Sequence, residues 1–312
     1  AEADRLSTQF GAYLHSQGLK PGDRIALMMP NLLQYPIAVF GALKAGLIIV
    51  NTNPMYTPRE MLFQFEDSGV KAIVIVENFA ANLESVISKT QIDTVIMTSI
   101  GEMLGSIKGS IVNFAVRYIK RLVPKYNLSN VVSFSHALEE GKKFKIKEFQ
   151  GFASDVIVHQ YTGGTTGKPK GAIHTHKSFM SGIYPSYMRF PECGPHSISL
   201  AILPLSHVFE RVNGHFLAIS IGATLASAGS LAAVGADMTK IRPTAMLVVP
   251  RFLDAMRGRI VDAMKKESPL KQRLFALAMD QGRRKFKGES APLFALTDAL
   301  VGVALRVARD LL

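Results

Sequence analysis

Apolar positions in the first hundred residues follow two rhythms that alternate. Arg24–Met29, Leu47–Val50, Val70–Val76 and a run near 93–98 read as short strands, most without a polar face, and Val70–Val76 is also β-branched. Between them lie stretches with helical spacing: near 4–18, after Asn31, after Thr57, and near 78–89. Strands lacking a polar face are buried on both sides, and their alternation with helices predicts a parallel sheet covered by helices on both faces. The punctuation fits this reading. Lys20-Pro21-Gly22-Asp23 reads as a turn. Asn31 with Gln34 three residues on reads as a helix cap, and Gly46 as the stop of that helix. Thr57-Pro58-Arg59-Glu60 reads as a capping box with proline at the first helical position, opening a helix to about Asp67.

The later part of the chain continues in kind. Val156–Val158 and Ala172–His176 read as strands around a loop, followed by a helix near 177–187 and a Pro/Gly turn at 191–195. Ser197–Ala201 and Ala245–Val249 read as strands, and Pro250-Arg251 opens a helix to about Lys266. The last 45 residues are strongly helical in pattern. The expected fold class is α/β, with layered sheets flanked by helices. The expected division is a first α/β subdomain over 1–190, carrying a loop at 161–171, and a second over 191–312 with a helical extension. Val212–Ala236 holds 25 residues without Asp, Glu, Lys or Arg, enough to cross a bilayer. Its Asn213, His215, four glycines and three serines read better as a buried helix stopped at Gly222 and a buried strand over Ala223–Ala228.

Ser106–Lys125 departs from the rhythm. Ile111, Phe114, Ala115, Tyr118, Ile119 and Leu122 fall on one helical face, with Lys108, Arg117, Lys120, Arg121 and Lys125 as a basic complement. Two readings fit: an interfacial helix giving peripheral membrane contact over 108–125, or a surface helix packed on its own domain.

Composition narrows the partners. The chain has 312 residues, is 48% hydrophobic and carries a net charge of +12. Such a charge suits nucleotides, CoA or acidic lipid. It is not gathered into a lysine tract, and no nucleic-acid-binding motif accompanies it, so nucleic acid is not an expected partner. Cys193 is the one cysteine, which rules out an internal disulfide and suits a reducing compartment. No secretory leader is visible, so a cytoplasmic location is expected. No feature specifies an oligomeric state.

The chemistry concentrates in Tyr161–Gly171, Y-T-G-G-T-T-G-K-P-K-G, with four glycines, three threonines and two lysines. Glycines let the backbone approach a ligand closely, and hydroxyls and N–H groups bond phosphate oxygens. This is not an ordinary P-loop. Before the pair Gly167-Lys168 the required glycine position is Thr162, and Pro169 follows where Ser or Thr is needed. A phosphate loop of another kind and a Gly/Thr-rich surface hairpin both fit. His207 follows Pro204-Leu205-Ser206 just after a strand, where sites of open sheets collect, and a core histidine competes. Ser206-His207 makes a poor nucleophile and base, since neighbours rarely face each other and no acid partner is evident. His174 and His176 share a strand face, but no third ligand suggests itself, and no metal ligand is assigned. Phe209, Phe216, Met246 and Val248 suit either an apolar tunnel or a structural core.

The Tyr161–Gly171 run resembles the ATP-binding signature of the adenylate-forming, or AMP-binding, superfamily. Gly22–Pro36, Leu43–Glu60 and the basic stretch Val112–Tyr126 resemble bacterial long-chain fatty acid–CoA ligases. Leu203–Arg211 and Ile241–Arg251 look more like a second branch of long-chain acyl-CoA synthetases. The resemblance implies a partial N-terminal domain of an adenylate-forming enzyme. It implies ATP, Mg2+ and CoA, and a long-chain fatty acid converted to acyl-adenylate and then acyl-CoA. Thr162, Gly163, Gly164, Thr165, Thr166, Gly167, Lys168 and Lys170 would hold the β- and γ-phosphates, Thr166 and Lys170 would also act catalytically, and His207 would lie near the acyl carboxylate. The family's later Tyr-Gly-x-Thr-Glu segment, whose Glu holds magnesium, does not occur here; nor do its ribose-binding Asp, its hinge and its small C-terminal domain with a catalytic Lys. The expectation is an internal piece of a larger enzyme or a truncated gene product, placed in the cytoplasm and peripherally on the inner face of the cell membrane. An aryl- or short-chain acid ligase, and a non-catalytic nucleotide- or lipid-binding remnant, are the alternatives.

Overall fold

The computed structural model describes residues 2–147, 149–162, 170–230, 232–290 and 293. They fall into two compact units, one drawn from 1–194 and 204–222, the other from 195–203 and 223–312.

The first unit is built around a sheet. Its elements in chain order are α1 (Glu2–Ser16), β1 (Arg24–Met28), α2 (Gln34–Lys44), β2 (Ile48–Asn51), α3 (Pro58–Ser68), β3 (Val70–Val76), α4 (Ala80–Ile87), β4 (Thr94–Thr98), α5 (Ser106–Phe114), β5 (Val131–Ser133), α6 (Phe134–Gly141), β6 (Val156–Thr162), β7 (Lys170–Thr175) and α7 (His176–Arg189). A π-helical stretch, Glu210–Phe216, leads into α8 (Leu217–Ser220). The strand order is β5-β4-β3-β1-β2-β6-β7. Every pairing is parallel except the β6–β7 hairpin.

Strands β1–β4 lack a polar face because both of their faces are covered. Ile25, Leu27, Ile49, Val74 and Ile96 pack with Phe10 and Leu14 of α1, Ala38 and Ala42 of α2, and Phe134 of α6. The intervening Ala26, Met28, Val50, Ile73 and Ile75 pack with Met61 and Phe65 of α3 and Leu83 of α4. This period-two division fixes the register, since a one-residue slip would exchange the two cores. The box at Thr57 forms as expected: Thr57 Oγ1 accepts from Glu60 N–H, and Glu60 Oε2 accepts from Thr57 N–H. Gly46 ends α2 with φ of 73°, where a side chain would be strained.

Some expectations need correcting. Asn31 and Gln34 do not cap α2, whose N-cap is Leu33 without a side-chain bond. Both reach across the fold instead, as described below. β5 and α6, not anticipated, extend the sheet edge and cover one face of it. The stretch 106–125 is not one regular helix. α5 turns π-helical over Ala115–Ile119, and Arg121 takes a left-handed φ of 49°. His174 and His176 do not share a strand face, because His176 is already the first residue of α7.

The second unit holds β8 (Ile198–Ala201), β9 (Thr224–Ser227), α9 (Val234–Ile241), β10 (Ala245–Met246), α10 (Pro250–Met264) and α11 (Pro269–Phe286). Its parallel sheet has the order β10-β8-β9. β9 is not the buried strand expected, since its two end residues are exposed. Strand pairing after Ala245 covers only two residues. The core is small, centred on Leu200, Ile202 and Val234. The amphipathic stretch from Leu293 to Leu312 lies, apart from Leu293, outside the described residues. Among the described residues, no helix is long and apolar enough to cross a membrane.

Candidate active site

In a parallel sheet the strands all end on one side, and ligands of open α/β sheets bind there. At that side of the first unit the apolar strands give way to polar residues: Asn31 just after β1, Asn51 closing β2, Thr98 closing β4 and Gln160 near the end of β6. Asn51, Thr98 and Gln160 are buried and Asn31 is half-buried, and all are bonded to one another or to nearby side chains and backbone. Gln34 Nε2 donates to Thr98 Oγ1 at 2.9 Å and to Ser99 O at 3.0 Å. Asn51 Nδ2 donates to Gln160 Oε1 at 2.9 Å. Gln64 Nε2 donates to Asn51 O at 2.8 Å.

The glycine- and threonine-rich run leaves the sheet at this same end. Thr162, the last residue of β6, pairs with Lys170, the first of β7, and the two strands converge there. Gly163, Gly164, Thr165, Thr166, Gly167 and Lys168 lie outside the described residues. Lys170 is exposed at the start of β7. Behind it the hairpin is braced by Tyr161, which sits opposite Gly171. A Cβ on Gly171 would stand 2.9 Å from the Tyr161 ring, so only glycine fits beside it. Tyr161 donates its hydroxyl to Asp67 Oδ2 at 2.5 Å. Burial, and then that carboxylate, push the phenol well above its ordinary range.

Residues 204–211 bring a second candidate to the same unit. His207 N–H donates to Pro204 O at 2.8 Å, forming a tight turn. The ring is exposed, and its Nδ1 accepts from Phe209 N–H at 3.3 Å. The turn is held from below: Leu205 N–H donates to Asn31 Oδ1 at 2.7 Å. Leu205 O accepts from Tyr35 Oη and from Arg211 Nε, each at 3.1 Å. Arg211 is fully buried, and burial pushes its guanidinium down to about 9. Four residues on, His215 is also buried, and neither ring nitrogen has a hydrogen-bond partner. Burial, and then the Arg211 charge, push it down to about 3. Its ring packs with Tyr35, Phe40 and Phe216. Phe216 also meets Phe179, so it belongs to the core. Phe209 is partly exposed; Met246 and Val248 sit in the second unit's core.

Sequence reasoning missed Asn31, Tyr35, Asn51, Gln160 and Arg211 as site residues. Their shared signal is a polar residue that closes an apolar strand run or interrupts an apolar stretch. Magnesium is held by one or two carboxylates with substrate phosphates. Among the described residues, no group of three or more His, Cys, Asp or Glu could hold a metal ion.

A parallel sheet covered by helices on both faces, with the β6–β7 hairpin closed by Thr162 and Lys170 at its carboxyl ends, defines an α/β protein. The chain belongs to the AMP-binding enzyme family, whose model matches residues 1–299. It is similar to the long-chain-fatty-acid–CoA ligases of Yersinia pestis (49% identical) and Salmonella typhimurium (47% identical), in each case over 222 residues, 70% of this chain. The chain spans about 40% of the length of these relatives. Its fold is that of a long-chain-fatty-acid-CoA ligase from Archaeoglobus fulgidus, with TM-score 0.65 and 19% identity over 84% of this chain and 45% of the other.

Proposed function

We propose that this chain supplies the phosphate-gripping part of an enzyme that activates a long-chain fatty acid with ATP and passes it to CoA. The observation that carries the reading is the closing of the β6–β7 hairpin by Thr162 and Lys170 at the carboxyl end of the sheet. The names of the relatives supply the substrate class.

A fatty-acid carboxylate oxygen attacks the α-phosphorus of ATP. The bond to the bridging oxygen breaks, leaving acyl-adenylate and pyrophosphate. The CoA sulfur, as thiolate, then attacks the acyl carbon, and AMP departs. Carboxylate and triphosphate repel each other, so the protein's task in the first half is electrostatic. Thr162, Thr165, Thr166 and the backbone of Gly163, Gly164 and Gly167 hold the β- and γ-phosphates. Lys168 and Lys170 offset the charge that grows as pyrophosphate leaves. His207 stands by the acyl carboxylate. Magnesium, which would arrive with the phosphates rather than on the described residues of this chain, would neutralise part of the same charge. Each methylene buried in the acyl slot contributes about 0.8 kcal/mol, so slot depth sets chain-length preference.

The test is ATP–pyrophosphate exchange by the full reading frame that contains this chain, with palmitate and benzoate compared. Exchange driven by palmitate and not by benzoate is expected. Preference for benzoate overturns the substrate class. ATP binding without exchange for either acid marks a nucleotide-binding protein without catalysis.

The same reading covers where the acid is met. Ile107, Ile111, Phe114, Tyr118, Ile119 and Leu122 are all exposed around α5 and its π-helical continuation. Lys108, Lys120, Arg121 and Lys125 are exposed beside them, while Arg117 pairs with Glu77 at 2.7 Å. An apolar face rimmed by exposed basic side chains fits the inner face of a cell membrane, where anionic lipid attracts basic residues. Liposome co-sedimentation is expected to rise with anionic lipid and to fall when Ile111, Phe114 and Tyr118 become serine. Binding indifferent to both would end the membrane contact.

A further inference from the structure

Arg211 is an unusual residue to bury. A charge removed from water costs several kcal/mol unless paired, and replacing buried ions with apolar residues of similar size is often neutral or stabilising. Among the described residues no ion pair forms at Arg211, and its Nη1 finds no hydrogen-bond partner. Its polar and ring contacts among the described residues are neutral: Nε on Leu205 O at 3.1 Å, Nη2 on Asn51 Oδ1 at 2.5 Å, and the Tyr35 ring 5.2 Å from Cζ. A group so poorly compensated contributes little to stability, so its contribution must be sought elsewhere.

The contacts lie between two parts of the candidate site. On one side, Nε and the Arg211 N–H, which donates to His207 O at 3.0 Å, hold both ends of the 205–207 turn. On the other, Nη2 holds Asn51, and Asn51 Nδ2 holds Gln160, two residues before Thr162. Tyr35 Oη closes the ring of bonds, at 3.1 Å from both Leu205 O and Asn51 Oδ1. One rigid, planar fork therefore ties the turn bearing His207 to the strand from which the phosphate loop springs. A fork with fixed donor directions does this better than a flexible lysine.

We propose that Arg211 is a positioning residue, which sets the Pro204–His207 turn in register with the carboxyl ends of β2 and β6 and hence with the root of the phosphate loop. It touches no substrate and acts through Leu205, His207 and Asn51. The inference rests on the reading of His207 and Lys170 as parts of one acid-activating site. A misplacement of about 1 Å in such a site can cost a hundredfold in rate.

The experiment compares the full reading frame containing this chain with its Arg211→Met and Arg211→Lys variants. Three quantities are read: thermal stability, amide hydrogen exchange, and the kcat and KM of palmitate-dependent pyrophosphate exchange. For Arg211→Met, the melting temperature should be retained or raised. Amide exchange at Leu205 should accelerate about tenfold or more while the β1 and β3 amides keep their protection. The value of kcat should fall at least tenfold and the KM for fatty acid rise, with ATP affinity changed less than twofold. Arg211→Lys should recover part of each loss. Unchanged Leu205 exchange and unchanged kcat in a folded Arg211→Met overturn the proposal. So does a loss of kcat that only tracks a lowered melting temperature. Should Arg211→Met not fold, Arg211→Lys decides: parental kcat and Leu205 exchange overturn it, and slower turnover at parental stability supports it. If the parent activates no acid, the acid-activation reading fails by itself, and Leu205 exchange still tests the anchoring.

Discussion

The two ends of the seven-stranded sheet are built from opposite materials. At the amino ends of β1, β2 and β6 lies a cavity of about 370 Å³, lined by Pro21, Leu43, Leu47, Phe149, Phe152 and Val156 among others. A side chain at Gly46 would strike Phe149 at 2.9 Å, so the aromatic ring rests on the bare backbone there. At the carboxyl ends, Asn31, Gln34, Asn51, Thr98 and Gln160 are tied into hydrogen bonds, with a buried guanidinium and a neutral histidine behind them. The cavity at the amino ends is walled mainly by apolar groups, with Asp155 and His176 among its lining, whereas the described side chains at the carboxyl ends bond to one another. Satisfied buried polar groups rigidify what they join, and partly satisfied ones are the exceptions that call for a function.

The sharpest way to break that contrast is to remove Lys170. It offers a charged hydrogen bond, of about 1.5–3 kcal/mol. Lys170→Ala should slow palmitate-dependent pyrophosphate exchange by roughly 10- to 150-fold, with little change in stability, because the side chain is exposed. An exchange rate equal to the parent's would remove the phosphate loop from the carboxyl end and the contrast with it.

His215 sharpens the same contrast through pH. Its ordinary value near 6.5 falls to about 3 on folding. The unfolded chain therefore binds the proton first as pH drops. Stability from this group is fully present above pH ~6.5 and is lost progressively as pH falls from there toward 3. At pH 5 the loss is about 2 kcal/mol, from ~1.5 pH units at ~1.4 kcal/mol each. In urea titrations His215→Leu should flatten stability between pH 7 and 5. An equal slope in parent and variant would show that the histidine carries no such burden.

Much of this was legible in the sequence, and what was not has a common cause. Strand runs such as Val70–Val76 are continuous because both faces are covered, and the Thr57–Glu60 box is purely local, so both could be read directly. The hairpin could be read because Gly171 and Tyr161 sit in one motif. Asn31 and Gln34 misled: their spacing is that of a cap, but their partners, Leu205 and Thr98, are 174 and 64 residues away. Arg211 shows the same limit more strongly. Locally it is a charge on an amphipathic stretch, and only the return of 204–222 to the first unit buries it. β5 has three residues, too few for a period to register. Local bonds leave local patterns, whereas a network spanning β2, β6 and Arg211 leaves only polar residues at the ends of apolar runs.

The smallest expected effect lies at the amino ends and tests the other half of the contrast. Phe149 covers Gly46 there and borders the cavity. Phe149→Ala enlarges the cavity without touching Lys170, His207 or the bonds around Asn51. Its ring is 37% exposed, so the cost in stability should fall below the ~3–5 kcal/mol of a fully buried Phe→Ala change. Pyrophosphate exchange should stay within twofold of the parent, with the KM for palmitate unmoved. A rise in that KM comparable to the loss in Lys170→Ala would mean that the acyl chain enters from the amino ends. The roomy end would then be part of the site, and the division of labour between the two ends of the sheet would have to be redrawn.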